Sequence, residues 1–174
     1  MNWYKKAIKE DKCTGWIAVR FNKKESDNII SWGKNNIPDK EIYKEKGRED
    51  DIHITLKYGV CTENLEVIKS LLSSEKPVKA KLGKIGFFKP EKEHDVVIIK
   101  IDSPDLEKLN KKVDDSLNTI TTFKYKPHCT IAYVKPGEAK KYSGNDYFNG
   151  KEVIFNKIVF KNYKDEEIVF SLKG

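Results

Sequence analysis

The chain has 174 residues, of which 38% are hydrophobic and 35% are charged, and its formal net charge is +7. This length suits a single domain over residues 1–174 with a hydrophobic core. No apolar run approaches a membrane span, and the opening residues carry too many charges for a secretory signal. We therefore expect a cytoplasmic protein, of a bacterium or a phage-infected host. A positive surface favours anionic partners such as nucleotides or RNA.

The cysteines Cys13, Cys61 and Cys129 are odd in number and form no Cys-x-x-Cys pair. This usage predicts neither a disulfide framework nor a zinc site. Cys129 falls on the apolar side of a strand pattern, so we expect a core residue rather than a nucleophile. The sequence thus predicts no metal and no cofactor, and we expect a monomer.

The first third of the chain predicts two strands separated by a helix. Met1–Lys12 is polar and is expected to form a lead-in or a short helix. Trp16–Phe21 alternates like a strand, and Glu25–Asn36 carries its apolar residues on one side, as a helix does. A charged loop, Lys40–Asp51, then leads into a second strand at Ile52–Tyr58.

The middle of the chain predicts two strands framed by helices. Asn64–Leu72 has leucine and isoleucine at helical spacing. Val78–Phe88 is typical of a strand bent near its glycines, and a charged turn separates it from the apolar strand Val96–Ile101. A helix is predicted over Pro104–Leu117, because Ser103 is a favourable N-cap and proline suits the first turn.

The last part of the chain predicts three strands. His128–Val134 forms one, and the loop Lys135–Gly150 follows it. Lys151–Asn162 and Glu166–Leu172 are expected to form a hairpin. The complete pattern predicts an α+β fold with mostly antiparallel sheets.

One short pattern occurs twice, in two different predicted strands. It is His-x-Thr followed by an apolar residue, with His53 and Thr55 in the first copy and His128 and Thr130 in the second. Alternate residues of a strand face the same way, so each histidine shares a face with its threonine. The intervening Ile54 and its counterpart in the second copy then face the core.

This pattern predicts acid–base chemistry on a phosphate if the two strands lie side by side. An imidazole titrates near neutrality, so one ring can accept a proton while the other donates one. Threonine hydroxyls can donate hydrogen bonds to the non-bridging oxygens of a phosphate. Such a set can cleave a phosphodiester without a metal.

The doubled motif resembles the signature of the 2H phosphoesterase superfamily, which includes 2′-5′ RNA ligase-like proteins, cyclic phosphodiesterases and phage enzymes that destroy cyclic nucleotide signals. The resemblance extends from about Thr14 to Leu172 through the order of the elements. It implies a bilobal fold of two mostly antiparallel sheets with flanking helices around a central cleft. It also implies His53 and His128 as catalytic residues, with Thr55 and Thr130 binding the substrate.

The implied substrate is a nucleotide phosphodiester, either an RNA end with a 2′,3′-cyclic phosphate or a cyclic oligonucleotide. A phage-type enzyme that degrades cyclic di- or trinucleotide immune signals is an alternative. A nucleotide- or RNA-binding module without turnover is an alternative of another class. The net positive charge and the aromatic residues would suit such a module equally well.

Further substrate-binding candidates are weaker. Lys57 is two positions after Thr55, so in a regular strand it would face the same way as His53 and Thr55. Phe88 ends a strand at a point where family members often present an aromatic ring that stacks on a base. Tyr43 is an additional stacking candidate. Arg48 could contact a phosphate, although the charged run that it opens reads more simply as a solvated loop than as a metal site.

Three other positions are predicted from parity or context. Tyr58 and Tyr133 repeat in frame after the two motifs, yet alternation places them opposite the histidines, in packing positions. Only a β-bulge would reverse that orientation. His94 lies in a charged turn and is expected at the surface.

Overall fold

The computed structural model describes residues 13–62, 64–90 and 92–173, so the predicted lead-in Met1–Lys12 lies outside the described residues. Its strands are β1 Gly15–Arg20, β2 His53–Val60, β3 Val78–Phe88, β4 Asp95–Asp102, β5 His128–Val134, β6 Glu152–Phe155, β7 Lys157–Lys161 and β8 Glu167–Ser171. Its helices are α1 Lys23–Asn36, α2 Leu65–Leu72 and α3 Pro104–Ser116, with 3₁₀ turns at Asp39–Glu41 and Ala139–Tyr142. None of the helices in these ranges is long and apolar enough to span a bilayer.

The strands form one eight-stranded antiparallel sheet in the order β6-β3-β4-β5-β2-β1-β7-β8. The α+β class and the antiparallel pairing are confirmed, whereas the expected division into two sheets is not what the structure shows. The two motif strands, β2 and β5, are neighbours at the centre. They share a bridge between Ile54 and Cys129, which joins the four strands on either side into a single sheet.

Each half of the sheet receives a helix from the other half. In α1, Gly33 lies so close to β5 that a Cβ atom at this position would be 2.9 Å from Ile131 Cγ2. In α3, Asn110 donates a hydrogen bond of 2.7 Å to the carbonyl oxygen of Leu56 in β2. The helix starts agree with their capping signals, since the Ser103 hydroxyl accepts from Leu106 N. These contacts hold both motif strands from the core side.

The predicted strand Lys151–Asn162 is two strands that belong to opposite halves of the sheet. β6 pairs with β3, whereas β7 pairs with β1 and continues into the hairpin with β8. Phe155 and Ile158 are both buried although they are three positions apart, which strict alternation in one strand does not allow. The chain passes from one half of the sheet to the other at Asn156, whose carbonyl oxygen accepts from Leu172 N.

Cys13 and Cys61 form a disulfide, which the cysteine count did not predict. They are 48 positions apart in sequence, but β1 and β2 are antiparallel neighbours and Gly15 pairs with Val60. The pairing therefore brings both cysteines to the same end of the two strands. Cys129 is buried and free, as expected for a core residue. In a reducing cytoplasm the pair would be held as two thiols.

Replacing Cys13 and Cys61 by serine is expected to lower the free energy of unfolding by about 2–4 kcal/mol, because the unfolded chain gains entropy when its loop is no longer closed. Urea unfolding followed by circular dichroism measures this change. Dithiothreitol should shift the wild-type midpoint in the same direction and leave the double variant unchanged. Equal midpoints in all four samples would contradict a stabilising disulfide.

Candidate active site

The bridge between the motif strands brings the two motifs together. Because β2 and β5 are antiparallel and Ile54 faces Cys129, the positions on either side place His53 across from Thr130 and Thr55 across from His128. Side chains in such cross-strand positions start about 5 Å apart. Ile54 and Cys129 are fully buried, whereas the four motif side chains are half-buried on the opposite face. The predicted convergence of two histidines and two threonines is therefore present in the fold.

Both imidazole rings are oriented by the same local contact. His53 Nδ1 is 2.5 Å from the carbonyl oxygen of Asp51, and His128 Nδ1 is 2.7 Å from that of Lys126. A carbonyl oxygen can only accept, so each Nδ1 carries the proton and donates it. Each Nε2 is then left for a substrate, as an acceptor in the neutral ring and as a donor in the protonated ring.

Matching β-bulges follow the two motifs. In β2 one extra residue, Leu56, lies between the partners of Ala18 and Ile17 in β1. In β5 the extra residue is Ile131, between the partners of Ile98 and Val97 in β4. Each bulge stands directly after a motif threonine. A bulge reverses the alternation beyond it, so the residues that follow exchange faces.

The bulges correct the predicted orientation of the two motif tyrosines. Tyr58 is 51% exposed and Tyr133 is half-buried, and both line the same cavity as Thr55 and Thr130. The assignment of both rings to packing positions was wrong, because it assumed unbroken alternation. The in-frame repeat of the tyrosines was the signal in the sequence that pointed to a shared role.

The carbonyl group of each bulged residue is satisfied from outside the sheet ladder. Leu56 O accepts from Asn110 of α3, and Ile131 O accepts from the backbone N–H of Glu49 at 2.9 Å. An unpaired buried carbonyl would destabilise the bulge by about 1–3 kcal/mol. The two donors thus stabilise the strand geometry that turns the tyrosines toward the cavity.

An aromatic ring packs beside each histidine. Trp16 of β1 stacks on His53 with ring centroids 5.3 Å apart, and Phe88 of β3 meets His128 edge-on at 4.8 Å. Burial lowers the pKa of His128 below its usual range, the hydrogen bond to Lys126 O acts against this, and the charge of His53 adds to the lowering. His128 is therefore held toward its neutral form by its surroundings.

The motif face opens into a cavity of about 660 Å³. Thr55, Thr130 and His128 line it, whereas His53 lies beside Trp16 and is not part of the lining. Five lysines contribute to the lining, and among the described residues no aspartate or glutamate does. The lining lysines are Lys46, Lys57, Lys89, Lys124 and Lys126. A cavity of this charge favours an anionic ligand.

His94 also lines the cavity, which contradicts its expected surface position. It is 1% exposed, stacks on Tyr43 at 5.3 Å and meets Tyr133 edge-on at 5.5 Å. Its Nε2 lies 3.3 Å from Lys46 Nζ. An ammonium group only donates, so Nε2 is the acceptor in this contact. The charged neighbours of His94 in sequence concealed this position, since the ring faces inward from the start of β4.

Two of the predicted binding residues are engaged elsewhere. The ammonium group of Lys57, 6% exposed, contacts Asp114 at 2.6 Å and Thr121 O at 2.9 Å. The hydrogen bond from Lys57 lowers the pKa of Asp114. Arg48 lies outside the cavity lining and donates to Ile37 O at 2.6 Å. Phe88 lines the cavity beside His128, whereas Tyr43 is outside the lining and stacks on His94, which belongs to it.

Two charged side chains of the run before the first motif, Arg48 and Asp51, pair with residues outside the run. Asp51 receives two hydrogen bonds of 2.9 Å from Arg20, which also contacts Glu167, while Arg48 contacts Asp39.

Burial raises the pKa of Glu49, although the nearby charge of His53 opposes the rise. Within residues 13–62, 64–90 and 92–173, no three His, Cys, Asp or Glu side chains are grouped closely enough to hold a metal ion.

The sequence prediction missed the segment that precedes the second motif. Residues 118–126, here called the rim segment, run beside β2, and Thr121, Phe123, Lys124, Tyr125 and Lys126 all line the cavity. The sequence Thr-Thr-Phe-Lys-Tyr-Lys at 121–126 alternates basic and aromatic residues. This alternation was the available signal, because such residues together favour nucleic acid ligands.

Comparisons with solved structures show the fold of this chain in other proteins. E. coli LigT complexed with phosphate shares 15% identity and a TM-score of 0.63, over 93% of this chain and 95% of LigT. The protein TT0787 of Thermus thermophilus shares 16% identity and a TM-score of 0.64, over 92% and 95%. Kluyveromyces marxianus Usb1 with uridine monophosphate shares 12% identity and a TM-score of 0.56, over 93% and 99%.

A family model identifies the chain directly. Among curated proteins none matches the sequence significantly. The model of the 2′-5′ RNA ligase superfamily, however, matches residues 40–151, a range that contains both His-x-Thr motifs, the rim segment and the cavity lysines. The match spans well over half of the chain and agrees with the fold of the solved relatives. The chain therefore belongs to the 2′-5′ RNA ligase superfamily, the 2H phosphoesterases.

Proposed function

We propose that this protein is a metal-independent phosphodiesterase that cleaves a nucleotide phosphodiester by paired histidine acid–base catalysis. The observation that carries the proposal is the bridge between Ile54 and Cys129, which sets each motif histidine across from the threonine of the other motif. The lysine-rich cavity beside this cluster supports an anionic substrate. Membership of a phosphoesterase superfamily supports the reaction class.

Ligands seen in the relatives support a nucleotide substrate. E. coli LigT has been crystallised with 3′-AMP and with ATP, and the Usb1 structure contains uridine monophosphate. A nucleotide in the present chain would meet lysine side chains at its phosphate and aromatic side chains at its base. The basic and aromatic lining of the cavity suits both parts.

The proposed reaction needs one neutral and one protonated imidazole. The neutral ring accepts a proton at Nε2 from water, whose oxygen attacks phosphorus. The protonated ring donates its Nε2 proton to the ribose oxygen that leaves, so the charges balance. Because its pKa is lowered, His128 is the better candidate for the neutral base, which assigns the acid role to His53. The Nδ1 contacts keep both Nε2 atoms toward the substrate.

The threonines and nearby side chains complete the proposed site. Thr55 and Thr130 donate to the non-bridging oxygens and stabilise the charge that develops on them. Phe88, edge-on to His128 in the cavity wall, stacks on the base of the nucleoside next to the scissile phosphate. Tyr43 acts indirectly by stacking on His94, and Lys57 by holding the rim segment. Arg48 is left without a substrate role.

Two substrate types fit this chemistry. One is an RNA end with a 2′,3′-cyclic phosphate, and the other is a cyclic oligonucleotide, including the cyclic di- and trinucleotide signals that a phage-type enzyme would degrade. Both present a ribose oxygen as leaving group and a diester phosphate. A chromatographic screen of both types distinguishes them.

Replacing His53 or His128 by alanine is expected to reduce kcat/KM on the substrate found in this screen by about 10²–10⁴-fold, because each change removes one proton-transfer group. Circular dichroism checks the fold, and Lys34→Ala on the exposed face of α1 serves as the control that keeps its activity. A nucleotide-binding module without turnover would give no product with any of the variants or the wild type.

Turnover is expected to persist in excess EDTA, since the proposed chemistry uses imidazole and hydroxyl groups alone. The measurement is product formation after dialysis against chelator, with and without added Mg²⁺, Mn²⁺ or Zn²⁺. Activity that disappears with chelator and returns with one of these ions would refute metal independence, while leaving the paired histidines to be tested separately.

The His53→Gln variant is expected to raise the pKa of His128. Protonated His53 repels a second positive charge, so its presence disfavours protonated His128 and lowers that pKa. Histidine ring NMR signals followed against pH measure the midpoint. An unchanged titration midpoint of His128 in the variant would show that the charge of His53 does not affect the pKa of His128.

A further inference from the structure

The rim segment, residues 118–126, is attached to β2 at several points. Cys61 N donates to Asn118 O, Ile120 N donates to Gly59 O, and the Thr121 hydroxyl donates to Tyr58 O at 2.6 Å. Beyond them, the Tyr125 hydroxyl donates to Thr55 O at 3.1 Å. The segment is thus fixed on both sides of the tip that Phe123 occupies.

Gly59 permits this attachment. Its φ is +79°, and a Cβ atom there would lie 2.8 Å from Ile120 Cγ1 and 3.0 Å from Thr121 Cγ2. Lys57 adds a further contact from β2 through Thr121 O. A segment held this way presents its tip in a defined place.

The tip exposes an aromatic side chain at the edge of the cavity. Phe123 is 87% exposed although it lies between two attached residues, and it lines the cavity together with the exposed Tyr58. Leaving a phenylalanine side chain in water forgoes the favourable free energy that its burial would contribute. Exposed aromatic rings beside Lys124 and Lys126 form the kind of surface on which nucleic acid bases stack.

This surface is separate from the far end of the cavity. β2 and β5 are antiparallel, so Tyr58 and Tyr133 extend in opposite directions from the bridge at Ile54 and Cys129. Each tyrosine lies four residues from the bridge, and a bulge takes up one of these residues in each strand. Their Cα atoms are therefore roughly 20 Å apart along the strands, at about 3.3 Å per residue. Lys46 and His94 flank Tyr133, whereas the rim segment flanks Tyr58. The histidine–threonine cluster lies between these two ends.

We infer that Tyr58, Phe123 and the lysines of the rim segment form a second nucleoside subsite, so that the substrate carries a nucleoside on each side of the scissile phosphate. This inference rests on the proposed function and narrows its substrate to a dinucleotide unit, linear or cyclic, in preference to a mononucleotide with a cyclic phosphate. The first nucleoside lies at Phe88, and the second stacks at the rim.

The test compares Phe123→Ala with Phe123→Trp, which retains an aromatic ring, and with Tyr147→Ala as a matched control. Tyr147 is also an exposed aromatic residue, at 60%, but lies outside the cavity lining. The substrates are a nucleoside 2′,3′-cyclic monophosphate, 3′-5′ and 2′-5′ linear dinucleotides, and a cyclic dinucleotide. kcat/KM is measured for each substrate. The dinucleotide with the highest kcat/KM shows whether the enzyme prefers a linear or a cyclic substrate.

Phe123→Ala is expected to lower kcat/KM for the preferred dinucleotide by about 5- to 150-fold, the range that loss of one stacked base produces. The loss of kcat/KM for the dinucleotide should be at least about five times the loss for the mononucleotide. Phe123→Trp should retain most of the wild-type kcat/KM, and Tyr147→Ala should leave it unchanged. Equal losses on the mononucleotide and the dinucleotide, or no loss on either, would overturn the second subsite.

Calorimetric binding separates this inference from the proposed activity. If none of the substrates is turned over, the phosphodiesterase proposal fails, and the affinity of each nucleotide for wild type and Phe123→Ala is still measured. Weaker dinucleotide binding by the variant, with a smaller change for the mononucleotide, would support the subsite. An unchanged dinucleotide affinity would exclude it.

Discussion

The site depends on a bridge between two strands that are far apart in sequence. Ile54 and Cys129 pair at the centre of the sheet, and both are fully buried. On the opposite face, the same pairing sets His53 and His128 across from Thr130 and Thr55. If either strand slipped by one residue, its histidine would exchange faces with an apolar side chain. The buried pair therefore fixes the register on which the chemistry depends.

Two local devices are repeated around this bridge. Each histidine donates to the carbonyl oxygen two residues before it, and each motif is followed by a bulge. The contacts that stabilise the two bulges differ, since one uses a side chain of α3 and the other the backbone of Glu49. The repeated geometry is thus held by contacts from unrelated parts of the chain.

Alternation within short strands was enough to predict much of the site. The shared face of His53 and Thr55 and the core position of Cys129 follow from a period of two, and the structure has both. Alternation fails where a strand carries an extra residue relative to its neighbour, as at Leu56, or where the chain passes from one half of the sheet to the other, as at Asn156. Those events depend on pairing partners, which the sequence of one strand does not contain.

Composition and local context failed at other positions for a related reason. Cys13 and Cys61 meet because their strands are neighbours, and His94 is buried because Tyr43 and Tyr133 cover it from two other segments. Both outcomes are set by contacts over long sequence separations. The single sheet likewise depends on the bridge between Ile54 and Cys129. Without this long-range pairing, the two halves would be two separate sheets.

The attachment of residues 118–126 to β2 has a consequence for the thermodynamics of ligand binding. A free loop that closes over a ligand loses about 1–2 kcal/mol of backbone entropy for each residue that becomes ordered. Here Thr121 and Tyr125 hold the chain on both sides of Phe123 through hydrogen bonds to β2. That ordering is completed when the protein folds, so more of the contact energy with a ligand remains available as affinity.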